Sequence, residues 1–277
     1  MNEWMFSLVI LGGSLLAGLL GSLTGLGGGV VLVPMLAILF KVDLRYAIGA
    51  SLISVIATSS GSAAAYVREG FSNIRIGMFL EIATTAGAIA GAWLATRVPT
   101  RSIAIVFSLV LLYSVYLSFG RHGEERVPDN PWSNRLKMNG TFPGMDGKEQ
   151  HYAVTNISGG FATMFGAGAL SGLLGIGSGA VKVLAMDNIM RIPFKVSTTT
   201  SNFMIGVTAA ASAGIYLRRG YIDAPLVAPV MIGVVIGSLL GAKLLVKSNV
   251  KSLRIIFSVV IFALAVEMIY SGCMGKV

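Results

Sequence analysis

Gly25-Leu26-Gly27-Gly28-Gly29 breaks a run that carries no Asp, Glu, Lys or Arg from Trp4 to Phe40. As one helix that run would reach about 55 Å at ~1.5 Å per residue. The hydrocarbon core of a bilayer is only ~30 Å thick. The run is too long for a single crossing, and the glycines divide it. The same break returns as Gly175-Ile176-Gly177-Ser178-Gly179, at a constant offset of 150 residues, 25 to 175. The chain therefore reads as two copies of one unit, each organised around its own break.

Composition sets the class. Of 277 residues, 55% are hydrophobic and 12% charged, against about 25% charged in a soluble domain. Residues 46–67, 102–120, 152–181, 196–217 and 224–242 hold no charged side chain, and 76–96 and 255–275 hold one each. Apolar runs near 20 residues read as transmembrane helices, so an all-α polytopic membrane protein is expected. The 35 glycines suit tightly packed membrane helices. The net charge of +9 comes from Lys and Arg scattered over short connections, the pattern of a membrane bundle and not of a nucleic-acid binder. The single cysteine, Cys273, excludes an intramolecular disulfide and a cysteine metal site. The N-terminal run has Glu3 as its only early charge and no basic n-region, so it is expected to stay in the mature protein.

Ten apolar segments follow one another, at about 4–23, 28–40, 46–67, 75–96 and 102–120, then 153–172, 178–190, 196–217, 223–246 and 252–271. Between the halves, residues 121–151 hold five basic and five acidic side chains and both histidines. The expected division is a first repeat over 1–120, a soluble, water-facing connector over 121–151, and a second repeat over 152–277. The offset of 150 persists far beyond the breaks. Tyr66, Arg68 and Gly70 match Tyr216, Arg218 and Gly220; Ser51, Thr58 and Ser62 match Ser201, Thr208 and Ser212; Gly87 and Gly91 match Gly237 and Gly241. If the first two segments of a unit form a hairpin, the five-segment unit makes an odd number of net crossings. The second copy is then inverted. Paired interruptions in inverted repeats mark the binding site of a transporter.

Two readings stand at the breaks, Gly25, Gly27, Gly28 and Gly29 with Gly175, Gly177, Ser178 and Gly179. One is irregular backbone lining a polar cavity near the membrane middle, where free N–H groups hold an anion. The other is a tight hairpin that needs φ > 0. A nucleotide loop does not fit, since neither break has the Lys-Ser/Thr of a phosphate loop or a complete G-x-G-x-x-G. Ser51, Ser54, Thr58 and Ser62 share one helix face, and Thr198, Ser201, Asn202, Thr208 and Ser212 form the stripe of the second unit. Such residues either bind a moderately held oxyanion or simply let helices pack closely. The stretch Ser197–Asn202 is too polar to face lipid.

Lys182 lies three residues past Gly179 and has Leu32 as its counterpart. In a re-entrant hairpin it lies deep, where an ionisable group is costly and usually functional. In a full crossing it snorkels to the surface. Glu81 and Glu267 also fall in apolar segments and either carry a coupled proton or sit near helix ends. Arg68 and Arg218 end matched helices and either steer anions into each vestibule or anchor the interface. The pairs Gly87/Gly91 and Gly237/Gly241 are assigned to helix packing. There is no HExxH and no GxSxG, and His122 and His151 lie in the connector. No catalytic residue, metal site or cofactor is expected.

The two glycine breaks and the polar eighth segment resemble the TauE/SafE sulfite exporter family, over nearly the whole chain outside 121–151. The carriers are Gly25-Leu26-Gly27-Gly28-Gly29-Val30-Val31-Leu32-Val33-Pro34, Gly175-Ile176-Gly177-Ser178-Gly179-Ala180-Val181-Lys182-Val183, Ser201-Asn202-Phe203 and Gly206-Val207-Thr208. In the second half Leu184 stands where the family's proline follows the motif. The resemblance implies secondary transport of small anions, such as sulfite, sulfonates, thiosulfate or other organic acids, across the inner membrane. The expected protein is a ten-segment inverted-repeat carrier of a small anion, in a lipid membrane, coupled to H+ or Na+, with no nucleic-acid partner. A passive anion channel on the same scaffold is the alternative, and an intramembrane enzyme a second class. Lys and Arg are more numerous on the connector side than on the side of Lys41, Arg45, Arg218 and the termini. That bias puts the connector in the cytoplasm and the termini outside.

Overall fold

The computed structural model describes residues 3–24, 27–68, 70–95, 97–99, 131–143, 149–175 and 177–247, with single positions between 102 and 112 and between 255 and 270. Most of the fifth and tenth segments lie outside the described residues, as do Gly25, Leu26 and Ile176. The chain is mostly helical. In order it forms α1 (Glu3–Thr24), α2 (Gly29–Pro34), α3 (Leu44–Arg68), α4 (Ile74–Ala95), α5 (Pro131–Arg135), β1 (Gly140–Pro143), β2 (Glu149–Tyr152), α6 (Ile157–Leu174), α7 (Gly179–Leu184), α8 (Phe194–Arg218) and α9 (Ala224–Lys247). Each short helix after a break runs into a π-helical turn, Met35–Leu39 after α2 and Ala185–Ile189 after α7. Among the described residues, three helices are long and apolar enough to cross a membrane: Ile74–Ala95, Ile157–Leu174 and Ala224–Leu244.

Local chemistry sets the helix ends. Asn73 Oδ1 accepts from the Ile76 N–H at 3.1 Å and caps α4, and Asn156 Oδ1 accepts from the Gly159 N–H at 3.2 Å and caps α6. The backbone also repeats at the offset of 150. Positive φ angles pair as Gly27 with Gly177, Gly28 with Ser178, Lys41 with Arg191, and Gly70 with Gly220. The hydrogen bond from Val42 N to Leu36 O has its copy from Ile192 N to Met186 O. The π-turn forms after Leu184 as well as after Pro34, so the proline is not its cause.

The two units are interleaved. α1 packs on α9, and α4 packs on α6, which are the same pair of positions in the two copies. Both contacts are backbone to backbone. A Cβ at Gly87 would lie 2.1 Å from Phe165 O and one at Gly91 1.9 Å from Ala169 O. At the matching positions, a Cβ at Gly237 would lie 2.0 Å from Leu15 O and one at Gly241 2.6 Å from Leu19 O. Only hydrogen fits between these helices, so the glycine pairs set the interhelical distance. The outer faces of α4 and α9 keep Ile82, Ile89, Ile232 and Leu239 exposed.

α3 and α8 cross in the middle of the bundle and run antiparallel. The end of α3 meets the start of α8, where Thr199 Oγ1 donates to Phe71 O at 2.9 Å and Asn73 N donates to Thr200 Oγ1 at 3.0 Å. The start of α3 meets the end of α8, where Arg45 donates to Tyr221 Oη at 3.1 Å and the Tyr46 and Tyr221 rings pack edge to face.

The described part of the connector carries structure that its charge did not suggest. β1 and β2 pair antiparallel, Gly140 opposite Tyr152 and Pro143 opposite Glu149, which corrects the expectation of an all-α chain. The hairpin also runs past residue 151, the expected end of the connector. It is docked on one end of the bundle, with Met138 and Val154 buried in one cluster with Ile76, Met186, Met190 and Ile192. Asn73 Nδ2 donates to Tyr152 Oη at 2.7 Å and to Met138 O at 3.2 Å. Charged side chains kept this segment out of the apolar pattern, and a few apolar residues between them were enough to dock it.

Candidate functional site

Both hairpins turn back inside the bundle. After its break, the second one returns through a helix of 6 residues and a π-turn of 5, roughly 15 Å at ~1.5 Å per residue and about half a bilayer core. Its return arm ends beside its own start, where Thr155 N donates to Met190 O at 3.1 Å. The break is the turning point. α6 ends at Gly175 with φ 69°, its N–H donating to Ser171 O at 2.8 Å. Ser178 opens α7 with φ 47°, a left-handed conformation that a non-glycine residue holds at some strain. Gly28, with φ 73°, does the same for α2. Neither residue caps its helix through a side chain.

The two breaks meet at one place. A Cβ on Gly27 would lie 2.3 Å from Ile205 Cδ1 and 3.4 Å from Val55 Cγ1, and one on Gly177 would lie 3.1 Å from Val55 Cγ1 and 3.2 Å from Ile205 Cβ. Val55 and Ile205 are themselves a matched pair at the offset of 150, from α3 and α8. Both are fully buried. The backbone of each break thus closes on the crossing of the two central helices.

Polar side chains from the same helices hold the breaks. Ser51 Oγ donates to Gly175 O at 2.8 Å and Ser201 Oγ to Gly179 O at 3.4 Å. Asn202 Nδ2 donates to Ser22 O, at the end of α1, at 3.1 Å. Ser59, which the sequence did not single out, donates to Asn202 O at 2.6 Å. Ser54, Thr58 and Ser62 donate to carbonyls of their own helix at 2.7–2.9 Å. Their hydroxyl protons are therefore already engaged. By contrast, Ser178 Oγ, Thr198 Oγ1, Asn202 Oδ1 and Ser171 Oγ are buried without a hydrogen-bond partner. Such orphans are rare in a folded core. Thr198 and Asn202 share a face of α8 with Ser201 and Ile205, the face turned to the breaks.

Lys182 settles one open alternative. It is fully buried, so it does not snorkel. Its Nζ donates to Thr208 Oγ1 at 2.5 Å and lies 3.7 Å from Glu81 Oε2. Thr208 Oγ1 donates in turn to Glu81 Oε1 at 2.6 Å, and Thr85 Oγ1 donates to the same oxygen at 3.2 Å. Glu81 is on the inner face of α4, whereas Glu267 is exposed. Thr84 and Thr85 were missed, although their spacing of three and four residues from Glu81 places them on its face. Of the two arginines considered for steering, Arg218 is exposed in the last turn of α8, and the Arg68 side chain lies outside the described residues.

A family model described as sulfite exporter TauE/SafE matches residues 10–268. The chain belongs to the TauE/SafE sulfite exporter family. It is 29% identical over 272 residues to the probable membrane transporter protein YunE of Bacillus subtilis (strain 168), covering 96% of this chain and 97% of that one. It is 26% identical over 215 residues to the probable membrane transporter protein YdhB of the same strain, covering 76% of this chain and 79% of that one. No solved structure matches the chain. TauE/SafE membership makes this a membrane transporter, and lipid is the partner of the apolar faces that α4 and α9 leave exposed.

Proposed function

We propose that the protein is a secondary transporter of a small sulfur-containing or organic anion, of the sulfite, sulfonate or thiosulfate class, working by alternating access of two inverted five-segment repeats. The observation that carries this reading is the convergence of both helix breaks on Val55 and Ile205. Antiparallel α3 and α8, matched at one offset, are what an inverted pair requires, and discontinuous helices meeting at the middle are how such carriers build a substrate site. The anion binds between the breaks and the inner faces of α3 and α8. Ser178 Oγ and Thr198 Oγ1 are its uncharged donors and Lys182 its nearby cation. Hydroxyl donors with one cation suit an oxyanion that must be released again, since a site for transport cannot hold its cargo too tightly.

The protein lies in the inner membrane with the connector in the cytoplasm and the termini outside, following the Lys and Arg bias. A cysteine introduced into the connector should resist labelling from outside intact cells. Transport is tested by counterflow in proteoliposomes with sulfite, thiosulfate, sulfoacetate, taurine and acetate. A carrier accumulates labelled anion against an outward gradient of unlabelled anion. Equilibration without accumulation would instead identify a channel.

A further inference from the structure

We infer that Glu81, Thr208 and Lys182 form the proton-coupling device of the carrier: Glu81 takes one proton and thereby frees the Lys182 ammonium to hold the anion. This rests on the transport reading above and assigns its coupling ion. Four observations support it. First, the group is buried and closed: Lys182 is fully buried, its ammonium hydrogen-bonds Thr208, and Thr208 hydrogen-bonds Glu81 Oε1. Second, one position in it is open. Glu81 Oε2 is buried, accepts no hydrogen bond and faces Lys182 at 3.7 Å, so it is the oxygen to which a proton adds. Third, Lys182 adjoins the break. It follows Ser178 by four residues, Lys182 N donates to Ser178 O at 3.1 Å, and Ser178 Oγ is unpartnered. Lys182 thus stands one turn past the residue that carries the free hydroxyl.

Fourth, the device exists once. The counterparts of Lys182 and Glu81 at the offset of 150 are Leu32 and Met231. The paired breaks serve both halves of an alternating cycle, whereas an ion pair confined to one half supplies a single charge event. Among the described residues, the ionisable side chains of the elements around it are few. α6 and α8 pack against α4. α6 carries no ionisable residue, and those of α8 are Lys195 in its first turn and Tyr216 and Arg218 in its last. On the return arm the other one is Asp187, in the π-turn. Among the described residues, the groups bonded to Glu81 are Lys182, Thr208 and Thr85.

The charges balance. With Glu81 ionised, the pair is neutral and offers an anion no net attraction. When Glu81 is protonated, the site carries the one positive charge of Lys182, and a monovalent anion neutralises it. Proton and anion therefore enter together and leave together. A carboxylate elsewhere on the helix would not do this, because it would not release the cation one turn from the break.

The test is uptake into proteoliposomes of methanesulfonate and thiosulfate, neither of which titrates near neutrality, with the membrane potential clamped. An inward proton gradient should drive accumulation without sodium, and the exchange rate at low substrate should change by up to about tenfold per pH unit, the limit for one linked proton. Glu81→Gln, which mimics the protonated acid, should lose the response to the proton gradient and to pH. Because this variant leaves Lys182 without its partner and its yield is at risk, proton uptake by the wild-type protein on adding methanesulfonate is measured beside it. About one proton per anion bound is expected. Counterflow that is insensitive to pH, or accumulation that follows sodium alone, overturns the coupling assignment while leaving the carrier reading standing. An absence of counterflow with every anion of the panel overturns the carrier reading itself, and the coupling assignment with it.

Discussion

Removing either end of the buried pair should destabilise the protein far more than removing both. Lys182 Nζ and Glu81 Oε2 are 3.7 Å apart, with their side chains 0% and 9% exposed. At an effective dielectric of about 20, two unit charges at that distance attract by about 4.5 kcal/mol. Deleting one partner of a buried pair typically costs about 3–5 kcal/mol, because the other charge stays buried without compensation. Lys182→Met is unbranched and one atom shorter and removes the charge, and Glu81→Gln keeps the shape of the acid. Each alone should cost about 3–5 kcal/mol in detergent unfolding, measured as a free energy by denaturant titration. The double variant should recover most of that loss, because neutral groups of similar volume replace the pair. The coupling energy from the double-mutant cycle should then exceed about 2 kcal/mol, within the range for residues in direct contact. A Lys182→Met protein as stable as wild type, or a double variant no better than the worse single one, would refute the pairing and the deep position of Lys182.

Four further outcomes follow from the same geometry. Gly177→Val forces a β-branched residue to φ 72° with its Cβ 3.1 Å from Val55 Cγ1; it should abolish counterflow at matched expression. Asn202→Ala removes the buried amide that donates to the Ser22 carbonyl and should cost about 1–3 kcal/mol of stability, with weaker anion binding in a thermal-shift assay. Normal transport by both variants would remove the site from the breaks. Gly91→Val meets Ala169 O at 1.9 Å and should yield no folded protein, whereas recovery of a monodisperse, thermally stable variant would contradict the close α4–α6 contact. Burial pushes the Tyr152 phenol above its usual 10.0, against the lowering effect of the Asn73 hydrogen bond. The neutral phenol is thus favoured in the docked hairpin, and its contribution is complete below pH ~10 and lost as pH rises past the docked-state value. Tyr152→Phe should flatten the fall in melting temperature above pH 10, and an unchanged fall would remove Tyr152 as its cause.

Much of the architecture was legible because the chain repeats itself. Gly27 with Gly177 and Gly70 with Gly220 stand at one offset, and their backbones repeat the same positive φ. The residues that line the breaks were legible for the same reason, and Thr198 and Asn202 belong to Ser197–Asn202, a polar run that stood out in a membrane segment. Ser54 and Thr58 looked equivalent to them in sequence. Only the coordinates separate a hydroxyl bonded to its own helix from one that is buried and free. The ion pair was not legible at all. Lys182 and Glu81 have no matched copies, so the repeat gave no hint of their distance. The docked connector hairpin was hidden by its own charges, since Met138 sits beside Lys137 in a polar stretch.

The sequence by itself determined the offset of 150 residues, the positions of the breaks and the membrane as solvent. Those depend on local composition and on chain length against bilayer thickness, both of which can be read along one dimension. Tertiary structure decided how the units interleave, α1 on α9 and α4 on α6, and that both breaks close on Val55 and Ile205. It also decided that Lys182 faces Glu81 rather than the membrane surface. The physical reason is that helix packing sets those contacts through glycine-lined backbone approach between residues far apart in the chain, as Gly87 with Phe165 and Gly237 with Leu15. An amino-acid order records which faces are small or polar, and only the assembled bundle shows which of them meet.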